Sequence, residues 1–203
     1  MTLWLSLLVV AFGSVWGFAL AFLKRSPEKV LVWFASSCVE LFRVLPILVV
    51  IIWVYYVLPI LFNWRLSAFT AAVLALSLHL SAFVAETVRA GIESVPQSQF
   101  ESAEALGFNR SQIMLFVVLP QAVKNMIPNL LGLYINEVKN SSLASVIAVN
   151  ELLHQGNLLI SNTFRPLEIY TTIAVVYAIL LIPLMYIARF LEKKYSAGRV
   201  IVT

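Results

Sequence analysis

Long apolar blocks, separated by short polar interruptions, set the pattern of this chain. Thr2 to Leu23, Val44 to Trp64, Leu66 to Ala85 and Ile169 to Ala188 each carry at most an isolated formal charge. Each runs to roughly 20 residues, enough at about 1.5 Å per helical residue to cross a hydrocarbon layer of roughly 30 Å. None alternates apolar and polar positions as a membrane β-barrel strand would. Helices are therefore the way these segments satisfy their backbone groups in lipid. Val30 to Val39 either extends the second block towards the cytosol or lies in the interface. A less clean span is placed at 125–149, because Lys124, Glu137 and Lys139 interrupt the pattern there. The expected fold class is all-α, a polytopic transmembrane helix bundle of about five spans, with four to six compatible with the pattern. The expected limits are 2–23, 31–61, 66–92, 125–149 and 169–190. A cytosolic segment at 93–121 belongs to the same transmembrane domain, 1–195, and 196–203 forms a cytosolic tail.

Proline modifies this picture at Pro46, Pro59, Pro120, Pro128 and Pro183, where the helical register is expected to break or bend. Composition then removes the soluble alternatives. With 61% hydrophobic and 12% charged residues, the chain departs from the balance of a globular domain. The pI of about 9.3 reports orientation in a membrane protein rather than nucleic-acid binding. Lys24, Arg25 and Lys29 fall in the first loop, Arg89 and Arg110 near the central one, and Arg189, Lys193, Lys194 and Arg199 at the tail. Only Arg65 and Arg165 fall on the other side. The positive-inside rule places the N-terminus outside and the C-terminus inside. The first block has no preceding Lys or Arg, is long for a signal h-region, and reads as a span with a cytosolic exit. Cys38 has no partner for an intrachain disulfide, and His79 and His154 are too few and too separated for a metal set.

The central cytosolic segment carries the densest local signals. Ser94-Val95-Pro96-Gln97 combines a capping serine, a first-turn proline and a glutamine at the capping-box position. Ser98 to Glu101 offers the same box a turn later. A short helix is expected from Pro96, with Glu101 and Glu104 in its early part and Ala103, Ala105 and Leu106 forming a small packing surface. Gly107 suits a left-handed terminator, after which Phe108 or Asn109 starts the next helix. Such an element serves either as a rigid lever towards a partner or as a connecting loop.

Among the spans, Glu137 and Lys139 are candidates because a charge at membrane depth must face protein or water. They either line a pathway or neutralise each other. Asn140 and Ser141 follow them, and His79, Ser81 and Glu86 are further polar candidates on the third span. Arg89 is expected to bridge to Glu86 or Glu93, and Glu151 to Gln155 to open a short helix in the longest external segment.

The run Glu101-Ser102-Ala103-Glu104-Ala105-Leu106-Gly107, followed by Leu119-Pro120-Gln121-Ala122 and Pro128, resembles the EAA loop of type I ABC importer permeases. The segments 85–92, 119–122 and 139–147, with Glu40 to Arg43 before Pro46 and Phe164-Arg165-Pro166, are similar to the polar amino-acid branch, the histidine/glutamine/arginine/glutamate-type permeases. Two departures stand out. Val44-Leu45 replaces the branch's usual Gly-Thr before Pro46, and Asn140-Ser141 stands where an acidic residue and threonine are common, which argues against a substrate ammonium contact there.

That resemblance implies an ATP-driven importer of polar amino acids in a bacterial inner (plasma) membrane. It implies an ATP-binding subunit, an identical or homologous permease subunit and an extracytoplasmic substrate-binding protein as partners. Residues 101–107 would couple to the ATP-binding subunit, which would hold ATP and Mg. This chain, lacking a Gly-rich phosphate loop followed by Lys and Ser/Thr, is expected to bind no cofactor and to be no enzyme. An importer for another small solute and a non-transporting assembly subunit are the alternatives; an intramembrane enzyme would need a convergent constellation that His79 and Glu86 alone do not make.

Overall fold

The computed structural model describes residues 1–196, with side chains through Lys194. Arg199 and the rest of the expected tail beyond Ser196 lie outside the described residues. Eight helices follow one another: α1 (Thr2–Leu23), α2 (Lys29–Val44), α3 (Ile47–Phe62), α4 (Ala68–Glu93), α5 (Gln97–Ala105), α6 (Arg110–Ile147), α7 (Leu152–Thr163) and α8 (Pro166–Ser196). No strand occurs among the described residues. Four helices among the described residues, α1, α4, α6 and α8, are long and apolar enough to cross a membrane, and the bent pair α2–α3 makes up to five when taken as one broken span.

α4 occupies the centre, packed against α1, α2, α3 and α6. Its side chains are small where neighbours press closest: Ala71, Ala72, Ala75, Ala82 and Ala85 are fully buried. α1 answers with Gly13, Gly17 and Ala21, one turn apart. A Cβ placed on Gly17 would sit 2.5 Å from Val84 Cβ and 2.8 Å from the Ser81 carbonyl oxygen. In lipid, where apolar surface gains nothing by leaving the solvent, such close backbone approach is the main source of helix association. α8 presents Val175, Ile179, Ile182, Tyr186 and Phe190 outward, as a lipid-facing helix does.

Proline accounts for the breaks, though not uniformly. Leu45 (ψ 133°) and Pro46 (ψ 130°) are both extended, because the ring of Pro46 drives the preceding residue out of the helical region. α2 and α3 therefore meet at 109°, the break expected at Pro46. Pro59 and Pro120 each follow a π-helical turn, Trp53–Val57 and Ile113–Val118, where the wider turn accommodates the ring and the missing N–H. Pro128 and Pro183 lie inside helices that continue through them, so of the expected break or bend neither is a break. The helix expected to start at Phe108 or Asn109 is present and runs on into the fourth span as α6. Asn109 caps it, its side chain accepting from Gln112 N–H at 2.9 Å while Asn109 N–H donates to Gln112 Oε1 at 2.9 Å.

Glu151 fixes the start of α7. It is 1% exposed and accepts from the Leu153 and His154 amides at 2.9 and 2.6 Å and from the Tyr177 hydroxyl at 3.1 Å, tying α7 to α8. Glu151→Ala removes a helix cap and leaves those donors without their acceptor. The expected cost is about 2 kcal/mol, read as faster amide exchange at Leu153 and His154 and a lower melting temperature. Unchanged exchange at both amides would refute the cap.

Candidate functional site

Two adjoining cavities run along the contact between α4 and α6. The larger, 460 Å³, is lined by Arg43 of α2, by Phe83, Glu86, Thr87 and Ala90 of α4, and by Pro128, Asn129, Gly132, Leu133 and Asn136 of α6. The smaller, 150 Å³, takes His79, Leu80 and Phe83 from α4 and Leu133, Asn136, Glu137 and Asn140 from α6. Phe83, Leu133 and Asn136 border both, so the two form one polar-walled cleft within the span region.

Each wall follows from helical spacing. On α4, His79, Phe83, Glu86 and Ala90 recur every three or four residues. The His79 and Phe83 rings meet at a tilt of 45° with centroids 4.9 Å apart. On α6, Asn129, Gly132, Asn136 and Asn140 recur in the same way; Asn140 was a sequence candidate, and the period it shares with Asn129 and Asn136 is the signal that charge alone does not give. Glu86 closes one end. It receives Lys24 at 3.7 Å, Arg43 at 3.6 Å and Arg89, whose Nε donates at 2.8 Å; Arg89 also reaches Glu93. Both expected partners of Arg89 are thus present.

Glu137 sits at the other end, 2% exposed. Its Oε2 accepts from Asn140 Nδ2 at 3.3 Å, while Oε1 is buried with no hydrogen-bond partner. Lys139 does not neutralise it. Two residues on along a helix points elsewhere, and Lys139 is exposed, its Nζ 3.4 Å from Asn136 Oδ1. That overturns the internal-pair alternative. Ser81 and Ser141 are buried and donate to their own helices, to the Leu78 carbonyl at 2.7 Å and the Val138 carbonyl at 2.8 Å, and neither lines the cleft. The structure brings together His79, Glu86, Glu137, Asn140 and Pro128, and leaves Lys139, Ser81 and Ser141 outside.

α5 lies beyond the α4–α6 pair. Ser94 does not cap it: because α4 runs on to Glu93, the Ser94 hydroxyl closes that helix by donating to the Gly91 carbonyl at 2.7 Å. Pro96 occupies the N-cap position instead. At the far end Gly107 adopts φ 84°, its N–H donates to the Glu104 carbonyl at 2.9 Å, and Phe108 N–H donates to the Ala103 carbonyl at 3.1 Å. This is a Schellman closure. Ala103 is buried, whereas Glu101, Glu104, Ala105, Leu106 and Phe108 face outward. α5 is fastened to α6 by Gln121 Nε2 to Gln99 Oε1 at 3.4 Å, and the preceding turn by Asn125 Nδ2 to Ser94 Oγ at 2.8 Å.

Comparison with known proteins places these features in a family. Residues 4–197 match the family described as "Binding-protein-dependent transport system inner membrane component". The probable glutamine ABC transporter permease protein GlnM of Bacillus subtilis (strain 168) is 39% identical over 193 residues, 95% of this chain and 89% of that protein. The glutamine transport system permease protein GlnP of Escherichia coli (strain K12) is 36% identical over 195 residues, 96% and 89% of the two chains. A crystal structure of an amino acid ABC transporter with histidines superposes with a TM-score of 0.92 at 36% identity, covering 96% of this chain and 90% of that one. The inward-facing MetNI methionine ABC transporter, 19% identical with a TM-score of 0.76 over 96% and 92% of the two chains, shares the fold. With nearly its whole length matched, the chain belongs to the family of binding-protein-dependent transport system inner membrane components, multi-pass proteins of the inner membrane.

Proposed function

We propose that the chain is the permease subunit of an ATP-binding-cassette importer that carries polar amino acids handed over by an extracytoplasmic binding protein. One observation carries the reading. The exposed helix α5 is bonded to α6, the helix whose asparagine stripe and Glu137 form a wall of the cleft. A push on α5 therefore acts on the wall of the polar cavity. In this reading α5 and Gly107 dock on a cytosolic ATP-binding subunit, which holds ATP and Mg, and this chain binds no cofactor. A second permease subunit, identical or homologous, covers the open side of the cleft, and the N-terminus faces outside. The GlnM and GlnP relatives put amide amino acids first among the candidates for the cargo.

Within the cleft, Glu137 Oε1 is the acceptor suited to a substrate ammonium group, since it is buried with an unused lone pair. Asn136, Asn140 and His79 supply neutral donors and acceptors around it. A charge-assisted bond of this kind is worth about 1.5–3 kcal/mol. Glu137→Gln is accordingly expected to raise the substrate concentration for half-maximal transport at least about tenfold, with assembly intact. An unchanged value would remove Glu137 from the binding role.

The reading as a whole is tested on the assembled complex in liposomes with its binding protein, by following ATP hydrolysis against glutamine, glutamate, histidine and arginine. Stimulation by one class fixes the substrate. Basal hydrolysis with no response to any of them, from an intact complex, would move the function to another solute or to a non-transporting subunit.

A further inference from the structure

We propose that a pocket at the Lys24 end of α1 holds the headgroup phosphate of an anionic phospholipid. The pocket, 240 Å³ between α1 and α4, has apolar walls at Ala21 and Ile92 and a polar mouth made by Lys24, Arg25, Arg89 and Glu93. It shares no lining residue with the α4–α6 cleft, although Lys24 and Arg89 bond to Glu86 at the cleft's end.

Charge gives the first argument. With Arg43 and Glu86 included, four cations meet two carboxylates at this end of the bundle. Lys24, Arg43 and Arg89 all turn towards Glu86, and Arg89 towards Glu93 as well. Arg25 is exposed and makes no ion pair among the described residues. Two positive charges are left without a counterion where a membrane-crossing helix leaves the hydrocarbon. Basic pockets between transmembrane helices at that depth suit anionic headgroups.

The surface leading to the pocket gives the second argument. Val15, Phe18 and Phe22 are exposed on α1 at spacings of three and four, one stripe along the helix. Arg25 takes the next position, its N–H donating to the Phe22 carbonyl at 3.0 Å so that the helical turn carries through. An occupant that matches both parts has an apolar chain lying along the stripe and an anion at its end. A phospholipid has both; free phosphate has only the second.

The test uses the purified complex in detergent, loaded with mixed phosphatidylcholine and phosphatidylglycerol, with retained lipid counted by native mass spectrometry. Phosphatidylglycerol retention is expected to weaken about fivefold for Arg25→Gln and about fivefold again when Lys24→Gln is added. Phosphatidylcholine should be unaffected, and Arg25→Lys should retain most of the binding. Arg25→Gln is the deciding variant, because it leaves every ion pair of the cluster in place. Equal phosphatidylglycerol retention by wild type and Arg25→Gln overturns the proposal. So does displacement of the lipid by inorganic phosphate alone, which would make this a free-anion site, or loss of the ATP-binding subunit in place of lipid, which would make it a protein contact. Because the readout is bound lipid and not transport, a failed importer assignment would leave this result standing, and the reverse holds too.

Discussion

Gly17→Leu is expected to detach α1 from α4 and to cost more than about 3 kcal/mol. The argument rests on what the new side chain would meet. Even the first added carbon lies 2.8 Å from the Ser81 carbonyl oxygen, which is backbone inside the central helix, and 2.5 Å from Val84 Cβ, a branch point held by its own helix. Neither atom is the end of a flexible side chain, so relief requires α1 to move as a whole. Overpacking a well-filled core typically costs about 1–3 kcal/mol, and a leucine extends the clash well past its first carbon. Gly13→Ala should be milder, since the added carbon meets only side-chain atoms of Leu80, Cδ2 at 2.8 Å and Cβ and Cγ at 3.0 Å, and no backbone atom. Gly132→Ala provides the contrast. Nothing lies within 4 Å of its added carbon, and a helical alanine is favoured over glycine by about 1 kcal/mol, so the fold should hold or gain. Thermal unfolding of the three variants in one detergent tests the order. A Gly17→Leu protein as stable as Gly132→Ala would mean that α1 is not held by this contact.

The loss should reach beyond α1. Thr2 Oγ1 accepts from Leu152 N–H at 3.1 Å, Ser77 Oγ donates to the Val9 carbonyl at 3.5 Å, and Ser14 shares a hydrogen bond of 2.8 Å with Tyr134 on α6. α1 is thus bonded at its N-terminal end, along α4 and across to the helix that lines the cleft.

The features legible in the sequence were those decided over a few residues. An unbroken apolar run of the right length becomes a helix whatever it packs against, which is why α1, α4 and α8 lie where hydropathy puts them. Gly107 was legible for a similar reason: a glycine after a short helix has a local task, and its φ of 84° performs it. Pro46 was visible too, but the 109° turn was not. The angle depends on Leu45 and Pro46 both taking extended conformations and on where α4 then receives α2 and α3. Ser94 shows how a local signal misleads. The same side chain can open one helix or close another, and the persistence of α4 to Glu93 decided between them.

The cleft was half legible. Charge drew attention to Glu137 and Lys139 together, yet a two-residue spacing sends them to different sides of α6, and only Glu137 reaches the cavity. Of the neutral stripe Asn129, Gly132, Asn136 and Asn140, only Asn140 stood out in the sequence, although the period of all four marks one helix face. The pairing of Gly13 and Gly17 with Leu80 and Val84 is of another kind. Small residues spaced by four announce a close contact, but not which of several apolar helices makes it.

Gly107→Pro is expected to leave the transmembrane bundle folded while abolishing the response of ATP hydrolysis to substrate. Proline fixes φ near −65°, so it cannot take the φ of 84° seen here, and it lacks the N–H that Gly107 donates to the Glu104 carbonyl. The companion bond from Phe108 to Ala103 depends on the same left-handed residue and goes with it. No atom lies within 4 Å of an added Cβ at Gly107, so the core feels no clash and the bundle's melting temperature should hardly move. What is lost is the fixed end of α5 and the placement of Leu106 and Phe108 on the exposed surface. A proline forced on this geometry costs about 3 kcal/mol or more, which corresponds to a fall of roughly two orders of magnitude in the population of the closed turn and in the substrate-stimulated rate. Asparagine, which tolerates the left-handed region, should retain most of the response, and alanine, at about 1–2 kcal/mol, an intermediate share. The order glycine, asparagine, alanine, proline in stimulated hydrolysis, at equal complex assembly, is the signature of a backbone requirement at this turn. If the proline complex assembles and responds to substrate like the wild type, α5 is a connecting loop, and the force on the α6 wall of the cleft must enter elsewhere.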